Sequence, residues 1–532
     1  MRSIHWRKII TGAICFSLLS MAGCGGSDSS KNSDDQSKQT LNEKAVRPTD
    51  VKIDKTIKVD TVSNFSEKNK TFEGWGTSLC WWANRLGYSD SLAQQSADAF
   101  YGEDGLHLNI MRYNIGGGDD PEHDHITRTD SAVPGWLYWN EEKQEYVYDY
   151  DADHNQLNVL KRCYEAAGDE ALVEVFSNSP PYFMTVSGCS SGNSSADEDN
   201  LKSDSYEDFA DYLAQVTKYI QQDMGITVDS VSPMNEPDTN FWREWSNKQE
   251  GCHFDSGDSQ SKIIELTAGK LEEYGLDNVI VSASDETKCS SAANSYYSYS
   301  DEARASLGRI NAHSYDVNGI DTLGELCRNR DIKLWMSETD GSGTGGTDAV
   351  EMGSAIWLGK KIIYDINRLT PSAWIIWQVI DSHISEEGYN GNTDGGMVDT
   401  EGGFWGTAVA DHDNDTIILT QKYYGFGQFT RYIRPGCELL TIDDESIAAY
   451  DKENKRLTVV SVNASAENIT ADFDLSKFTK IGDSVSAVRT SGSMENGEHW
   501  AELEDIFAYE KGFVAELKGN SITTFIINDV EI

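Results

Sequence analysis

Basic residues are scarce in this chain of 532 residues, which has 44 Lys and Arg against 88 Asp and Glu and a formal net charge of −44. A negative field of this size repels nucleic acid, anionic membrane surfaces and uronate-rich polymers. The shortage of positive charge therefore argues against nucleic acid and other polyanions as partners and favours a neutral one.

Cysteine pairs with metal-ligand spacing are also missing. None of the nine Cys forms a CxxC pair, and seven remain when Cys15 and Cys24 of the N-terminal segment are set aside. An odd number without paired spacing argues against a zinc site and against a disulfide framework, so we expect no metal and no cofactor. Cys189 and Cys252 lie in polar loops and could pair in an oxidising compartment, although the sequence does not determine connectivity.

Apolar runs of membrane-spanning length are absent, and the one extended run lies at the N-terminus. Three basic residues precede the apolar stretch 9–22, which is the pattern of a signal peptide. The stretch from Leu19 to Cys24 resembles a bacterial lipobox, with an ordinary cleaved signal as the alternative. We therefore expect a lipoprotein signal peptide over 1–23, lipidation of Cys24, and an enzyme held at the extracellular face of the bacterial membrane only through that lipid.

Composition divides the rest of the chain. Residues 24–50 are polar and cannot bury enough apolar surface to fold, which predicts a disordered tether. Strand-like residues within 51–70 are expected to join a C-terminal domain. After about Phe429 short alternating strands replace every helical period, which predicts a small β-sandwich over 429–532.

Short apolar runs alternate with amphipathic stretches over 71–428. Helical spacing of apolar residues predicts an amphipathic helix over Tyr206–Gln222. A doubly wound sheet is the alternative, but no GxGxxG turn follows the first strand. We therefore predict an α/β fold, a (β/α)8 TIM barrel with an attached β-sandwich. The eight strand candidates are 72–78, 108–112, 172–176, 228–231, 279–281, 310–313, 333–336 and 373–377.

Two glutamates stand where barrel chemistry is expected, after predicted strands four and seven. Glu236 lies in Val231–Pro237 and Glu338 in Leu334–Thr339, 102 positions apart. A step of three βα units predicts about 90 to 100 residues, so the spacing fits. Two carboxyl groups that face each other across a sugar are what glycoside hydrolysis requires.

These glutamates belong to a larger set of motifs, which includes residues 72–84, 109–118 and 177–184. Together the motifs resemble glycoside hydrolase family 30, and within it the endo-β-1,6-galactanase-like enzymes, over nearly everything after Val51. The resemblance implies a retaining hydrolase of a neutral polysaccharide or oligosaccharide, and the expected substrate is β-1,6-galactan such as arabinogalactan side chains.

The resemblance also implies residue roles. Glu236 is expected to be the acid/base and Glu338 the nucleophile that forms a covalent glycosyl-enzyme. The expected supporting residues are Asn235 on the sugar 2-hydroxyl, Arg112 holding Glu338 ionised, His313 and Tyr315 orienting it, Trp377 under the sugar, and Trp81 and Trp82 lining the cleft, with Trp242, Trp245 and Trp405 as further cleft candidates.

Other functions stay open at this point. A β-1,6-glucanase, an exo-acting β-galactosidase and a β-fucosidase share the same chemistry. A non-catalytic sugar-binding surface lipoprotein is the alternative of a different class. Two convergent acids argue against a pure binder, and an aromatic content of 10% suits sugar contact in either case.

Overall fold

The computed structural model describes residues 45–123, 125–128, 131–341, 349–389, 392–395 and 404–532. The signal peptide predicted over 1–23, the lipidation of Cys24 and most of the predicted tether lie outside the described residues. Among the residues described, no helix combines the length and the apolar character needed to cross a bilayer.

The described residues form ten α-helices and 24 strands. The helices are α1 Trp82–Leu86, α2 Asp90–Phe100, α3 His154–Ala167, α4 Tyr206–Lys218, α5 Asp258–Glu273, α6 Cys289–Ser298, α7 Asp301–Ser306, α8 Ile320–Arg330, α9 Met352–Leu369 and α10 Gln421–Thr430. The strands are β1 Lys55–Lys58, β2 Gly74–Ser78, β3 Ile110–Asn114, β4 Leu137–Asn140, β5 Glu145–Tyr148, β6 Leu172–Phe176, β7 Ser230–Ser232, β8 Ile280–Lys288, β9 Leu307–Asp316, β10 Leu334–Glu338, β11 Ala373–Gln378, β12 Ile380–Tyr389, β13 Asn392–Gly395, β14 Ala408–Asp411, β15 Thr416–Leu419, β16 Glu438–Asp443, β17 Ser446–Asp451, β18 Arg456–Asn463, β19 Ile469–Asp474, β20 Ser484–Ser491, β21 Glu498–Glu502, β22 Ile506–Phe507, β23 Gly512–Leu517 and β24 Ser521–Ile527.

Eight parallel strands close into a barrel in the order β2, β3, β6, β7, β8, β9, β10 and β11. The last strand returns to the first, with Trp374 opposite Trp75. Parallel neighbours require crossover connections, which here carry the helices around the barrel. Each of the eight predicted strands is a barrel strand, so the predicted TIM barrel is confirmed.

Helix α4 shows why the crossovers pack on the barrel. It starts at the predicted residue, Tyr206, and ends at Lys218, where one π-helical turn continues to Asp223. Its apolar stripe, which includes Phe209 and Leu213, is fully buried. Burial of such a stripe supplies most of the stability of a helix in a folded protein.

The C-terminal domain consists of two packed sheets. One has the order β16–β17–β18–β24–β20–β21 with β22 on β20, and the other is β1–β19–β23. Phe473 and Phe513 of the smaller sheet stack at 4.5 Å, and both contact Phe525 of the larger one. Strand β1, which precedes the barrel in the sequence, pairs in parallel with β19 and so belongs to the sandwich.

The start of the described chain also contacts the sandwich. Ala45 forms a bridge with Tyr509, and the Arg47 guanidinium pairs with the largely buried Asp472 at 2.7 Å. Residues 45–50 belong to the stretch predicted to be a disordered tether, and all six are exposed. A cation on this stretch offsets the burial of a carboxylate on the smaller sheet, which composition alone does not show.

The seven described cysteines are all free and buried. The suggested pair of Cys189 and Cys252 is therefore not formed. The Cys189 sulfur instead accepts a hydrogen bond from the backbone N–H of Trp245 at 3.3 Å. This contact joins two loops at the carboxyl end of the barrel.

Candidate active site

The two glutamates predicted from separate strand ends meet at the carboxyl end of the barrel. Glu338 is the last residue of β10, and Glu236 follows β7 by four positions. One carboxyl oxygen of each and one ring nitrogen of His313 all lie within 4.8 Å of one another. The barrel thus brings together two acids and an imidazole from three strands.

The backbone of Glu236 is held in an unusual conformation. Its φ is +49°, and that of Asp285 on β8 is +56°. The Glu236 N–H donates to the Asp285 carbonyl at 2.9 Å, and the Glu236 carbonyl accepts from Thr239 and from the Trp242 indole, each at 2.9 Å. A left-handed non-glycine residue costs about 1–3 kcal/mol and persists only where its surroundings determine it. These bonds do so and hold the Glu236 side chain at the cavity.

Arg112 on β3 connects Glu338 to the interior of the barrel. Its side chain is fully buried, donates to Glu338 Oε2 at 3.2 Å and to Glu174 Oε1 at 2.9 Å, and lies 3.1 Å from Asp285. Burial opposes the charge of Arg112, but Asp285, Glu174 and Glu338 outweigh burial and raise its pKa. The predicted contact between Arg112 and Glu338 is present.

A polar layer below the two acids was not predicted. Glu174 accepts hydrogen bonds from Ser230, Ser282, Asn311, Arg112 and Arg309. Asp285 accepts from Ser232 and Ser337, each at 2.5 Å. A charged residue inside an apolar strand, such as Glu174 in Leu172–Phe176, is the sequence signal that could have revealed this layer.

His313 lies between the two acids. Its Nδ1 is 3.2 Å from Glu236 Oε1 and 3.5 Å from Glu338 Oε1, and its Nε2 is 3.5 Å from Asp285. Burial lowers the pKa of His313, but the charge of Glu338 and the bonds to Asp285 and Glu236 outweigh burial and raise it to about 10. His313 is therefore protonated at neutral pH and contacts both acids, not Glu338 alone as expected.

Glu338 is buried among charged groups that change its pKa in opposite directions. Burial raises the pKa of Glu338 to about 7, and Glu236 and Asp285 add to the rise, while His313 and Arg112 oppose it. Glu338 is therefore harder to ionise than an exposed glutamate, and the two neighbouring cations favour its ionised form.

Above the acids lies a cavity of about 390 Å³. Trp81 and Trp377 cross at 82° with ring centroids 5.0 Å apart, and Tyr315 stacks on Trp405 at 5.9 Å. Ring faces that surround polar groups suit the apolar C–H face of a sugar. The cavity is lined by Trp81, Arg128, Asn235, Glu236, Lys248, Gln249, Tyr315, Glu338, Trp377, Asp381 and Trp405.

Tyr315 and Asn235 line the cavity together with Glu236 and Glu338. Burial and the charge of Glu338 raise the pKa of Tyr315 well above its usual range, so the phenol stays protonated beside Glu338. The Asn235 side chain is buried, and its Oδ1 makes no hydrogen bond to any residue that the structure describes. Asn235 thus keeps a free acceptor at the cavity.

Trp82 does not line this cavity, and the prediction for it is corrected. It begins helix α1, is fully buried, stands edge-on to Phe100 at 5.8 Å, and donates its indole N–H to the Ser78 carbonyl at 2.9 Å. The backbone directs its side chain into the barrel wall, whereas Trp81 is directed to the cavity. Two adjacent indoles look equivalent in the sequence, and only the start of the helix separates them.

The other tryptophan candidates divide as well. Trp405 lines the main cavity, Trp242 lines an adjoining cavity of about 240 Å³ together with Glu236, and Trp245 contacts the rings of His123 and His125. A buried ion pair holds the Trp405 loop: Lys422 bonds Asp340 at 2.6 Å, and Asp340 accepts from the Gly406 N–H at 2.6 Å.

Sequence reasoning missed the polar residues of the cavity wall. The Arg128 guanidinium lies 4.5 Å above the Trp81 ring and pairs with Asp381 at 3.2 Å. Lys248 and Gln249 complete this wall. Arg128, Lys248 and Gln249 are in loops where no periodicity marks them, and Asp381 is the second residue of strand β12, so no sequence signal pointed to them.

Among the residues that the structure describes, two clusters have the residue types of a metal site. At the acids, Arg112 and protonated His313 already supply positive charge, so the donor set suits proton transfer better than a cation. In the second cluster, Asp199, His253 and Asp255, the Asp199 oxygens accept hydrogen bonds from the Asp255 N–H, Tyr206 and Ser259. That cluster is a hydrogen-bonded loop junction.

Comparison with known proteins agrees with this geometry. A family model described as O-glycosyl hydrolase family 30 matches residues 56–326. An endo-beta-1,6-galactanase of Hypocrea rufa is 31% identical over 500 residues, which cover 90% of this chain and 96% of that protein. An exo-beta-1,6-galactobiohydrolase of Bifidobacterium longum subsp. longum is 26% identical over 538 residues, which cover 78% of this chain and 35% of that protein.

Solved structures share the fold. A conserved exported protein from Bacteroides fragilis superposes with a TM-score of 0.69 at 16% identity, covering 89% of this chain and 100% of that one. A family 30 subfamily 8 xylanase from Clostridium acetobutylicum does so with a TM-score of 0.61 at 18% identity, covering 89% and 99%. The sequence matches over most of the chain place this protein in glycoside hydrolase family 30.

Proposed function

We propose that this family 30 enzyme hydrolyses β-1,6-linked galactan with retention of configuration. The observation that carries the mechanism is the approach of the Glu236 and Glu338 oxygens to within 4.8 Å. Retaining glycosidases hold their carboxyl groups about 5–5.5 Å apart, whereas inverting ones need about 6.5–9.5 Å for a water molecule. The substrate rests on the relatives from Hypocrea rufa and Bifidobacterium longum, both named for action on β-1,6-galactosyl linkages.

In the first step the ionised Glu338 attacks the anomeric carbon. Glu236 gives its proton to the glycosidic oxygen as the bond between that oxygen and the carbon breaks. The leaving chain departs as an alcohol, and the sugar is joined to Glu338 by an ester. Glu338 suits the nucleophile because the Arg112 guanidinium, 3.2 Å away, favours its ionised form.

In the second step Glu236 acts as a base. Ester formation removes the negative charge of Glu338, and the now ionised Glu236 takes a proton from water. That water attacks the anomeric carbon from the face that the leaving group left, and Glu338 is released. Protonated His313, which contacts both carboxyl groups, keeps the two aligned through both steps.

The cavity supplies substrate binding. Trp377 and Trp81 present crossed rings, and Trp405 also lines the cavity. The free Oδ1 of Asn235 lies beside Glu236 and accepts a hydrogen bond from the sugar 2-hydroxyl. Hydrogen bonds to this hydroxyl strengthen in the transition state of glycosidases.

Polysaccharide hydrolysis with stereochemical readout tests the proposal. The purified protein and Glu338→Gln are assayed on β-1,6-galactan, β-1,6-glucan and β-1,3-glucan by release of reducing ends. We expect the unmodified protein alone to act, on β-1,6-galactan, and proton NMR to show the β-anomer first. A ladder of products indicates endo action and a single short product exo action. An α-anomer as the first product overturns retention, and turnover of β-1,6-glucan alone overturns the substrate.

We further propose that the mature enzyme is lipid-anchored through Cys24 on the outside of the cell. This rests on the lipobox-like stretch Leu19–Cys24. In a bacterial host the full-length protein should fractionate with membranes, and Cys24→Ala should release it. Equal distribution of both proteins in the soluble fraction contradicts the anchor without touching the catalytic proposal.

A further inference from the structure

A second and larger cavity, of about 670 Å³, opens at the same end of the barrel. It lies among the loop that follows β3, the hairpin β4–β5 and the turn at Tyr182. None of the residues given a catalytic role lines it. Its wall includes Gly117, Asp119, Val133, Trp139, Tyr182 and Glu250.

The two cavities share a wall. Val133 lines the second cavity and packs in one apolar cluster with Trp81 and Trp377 of the first. Lys248 and Gln249 line the first cavity, and the next residue, Glu250, lines the second. The second cavity is therefore adjacent to the active-site cavity.

Exposed aromatic rings border the second cavity. Trp139 is 40% exposed and Tyr138 47% exposed. Trp139 contacts Tyr146 at 5.2 Å, Tyr146 stacks on Phe183 at 3.9 Å, and Phe183 contacts Tyr182 at 5.3 Å. These successive ring contacts hold Trp139 and Tyr182 in place, and both residues line the cavity. Rings that are held rigidly yet left exposed are typical of binding surfaces.

Glu250 brings a buried carboxyl group into the cavity wall. The residue is 1% exposed, and its Oε1 accepts the Gly117 N–H at 2.9 Å. Its Oε2 is buried and makes no hydrogen bond of normal geometry to any described residue. Burial raises the pKa of Glu250 well above its usual range, although the Gly117 N–H, the Asn114 side chain and the Gly118 N–H act to lower it. A buried oxygen without a well-formed bond favours an external partner, and the protonated carboxyl group can donate a hydrogen bond to a neutral hydroxyl.

We propose that the second cavity binds sugar units of the same neutral β-linked polymer, several positions away from the bond that is cleaved. Trp139 and Tyr182 contact the sugar rings, and Glu250 hydrogen-bonds a hydroxyl. Carboxylates surround the opening, namely those of Asp120, Glu122 and Glu141. They accept hydrogen bonds from further hydroxyl groups and repel uronates. This inference rests on the proposed action on a polysaccharide.

Chain-length dependence of the full-length enzyme tests the inference. The measured quantity is kcat/KM on long β-1,6-galacto-oligosaccharides divided by kcat/KM on the shortest oligomer that is turned over. We expect Trp139→Ala to lower this ratio about tenfold. Phe507→Ala is the matched control, because Phe507 is 79% exposed on the sandwich, and it should keep the ratio of the unmodified enzyme.

Glu250 is tested by rescue. Glu250→Ala should lower the ratio about tenfold, whereas Glu250→Gln, which keeps an acceptor for Gly117 and a donor toward the cavity, should stay within about threefold. Loss that is equal on long and short chains indicates a structural role and overturns the inference. An unchanged ratio in both Trp139→Ala and Glu250→Ala overturns it as well.

The proposed function fails separately. If the unmodified enzyme cleaves β-1,6-glucan but not galactan, the galactan proposal is wrong and the same ratio is measured on glucan oligomers. If it neither cleaves nor binds any β-linked polymer, with binding followed by gel retardation of Glu338→Gln, both proposals are wrong. If the polymer is cleaved but the ratio is unaltered in the Trp139 and Glu250 variants, only the proposal for the second cavity is wrong.

Discussion

The centre of the barrel and the core of the sandwich are equally buried but differ in kind. The barrel centre holds Arg112, Glu174 and Asp285 among interlocking hydrogen bonds, whereas the sandwich core is built on Phe473, Phe513 and Phe525. Buried charges are stable only as a complete set, since the removal of one partner leaves another unpaired. Apolar rings contribute independently through burial. The barrel centre is therefore built for reactivity and the sandwich for stability.

The largest effect is expected on kcat and comes from a change of Glu236, the proposed acid at the barrel centre. Glu236→Gln should lower kcat on β-1,6-galactan about a thousandfold, because the leaving oxygen is no longer protonated. An aryl glycoside with a good leaving group should lose far less in its first step, and added azide should restore turnover, since azide needs no base. The measurement is steady-state kinetics on both substrates.

Glu516→Gln is the matched control, because Glu516 is an exposed glutamate of the sandwich strand β23. It should behave as the unmodified enzyme on both substrates. Equal loss on polymer and aryl glycoside by Glu236→Gln, without azide rescue, would contradict the acid/base role.

Breaking the charge set should cost more stability than a change in the apolar core. Glu174→Leu leaves Arg112 and Arg309 without their shared partner and should lower the free energy of unfolding by about 3–5 kcal/mol. Phe513→Leu keeps most of the apolar volume and should cost about 1 kcal/mol. Urea unfolding measures both.

Activity provides the second readout of this pair. Phe513→Leu should retain the kcat of the unmodified enzyme, while Glu174→Leu should lose activity even where it is folded, because Arg112 no longer holds Glu338. A larger loss of stability in Phe513→Leu than in Glu174→Leu would invert the comparison.

Substitutions of aromatic residues in the barrel should affect either substrate binding or stability, according to whether the ring lines the cavity or is packed in the core. Trp405→Ala should raise KM about tenfold with little change in stability, because its ring lines the cavity. Trp82→Ala should instead lower the free energy of unfolding by about 3–5 kcal/mol, because its ring is fully buried. Kinetics and urea unfolding of the two variants are compared, and a KM effect in Trp82→Ala without loss of stability would reinstate Trp82 as a cleft residue.

The last comparison concerns the pH dependence of stability, where the two regions have opposite sign. Burial raises the pKa of Glu286 in the barrel to about 8, so its contribution is present below about pH 4.5 and is lost as the pH rises toward 8. Bonds from Arg489 first, then Ser491 and Lys518, lower the pKa of Glu498 in the sandwich to about 2, so its contribution is present above about pH 4.5 and is lost as the pH falls toward 2.

Unfolding in urea across pH tests these signs. Glu286→Gln should flatten the decline between pH 5 and 8, and Glu498→Gln should flatten the decline below pH 4. Identical pH profiles for the two variants would show that the regions do not differ in this respect.

Much of the fold was predictable because it depends on local patterns. The eight barrel strands are short apolar runs, and helix α4 has an unbroken apolar stripe from Tyr206. The approach of Glu236 and Glu338 followed from parallel strands that share one carboxyl end. The pairing of Arg47 with Asp472, a residue 425 positions away, could not be predicted from local patterns.

The details of the site depend on contacts between distant residues. Nothing near Trp81 and Trp82 indicates that one ring enters the cavity and the other the core. The partners of Arg112 lie on strands β6, β8 and β10, and Glu250 meets Gly117 across 133 positions. The spacing of residues along the sequence does not predict these contacts.

By itself the sequence determined which stretches are strands, which strand ends carry acids, and that the chain repels polyanions, because each depends on the order and charge of neighbouring residues. Only the tertiary structure decided that His313 contacts both acids, that burial raises the pKa of Glu338, and that a second cavity adjoins the first. Those properties arise from distance and burial, which closure of the barrel alone creates.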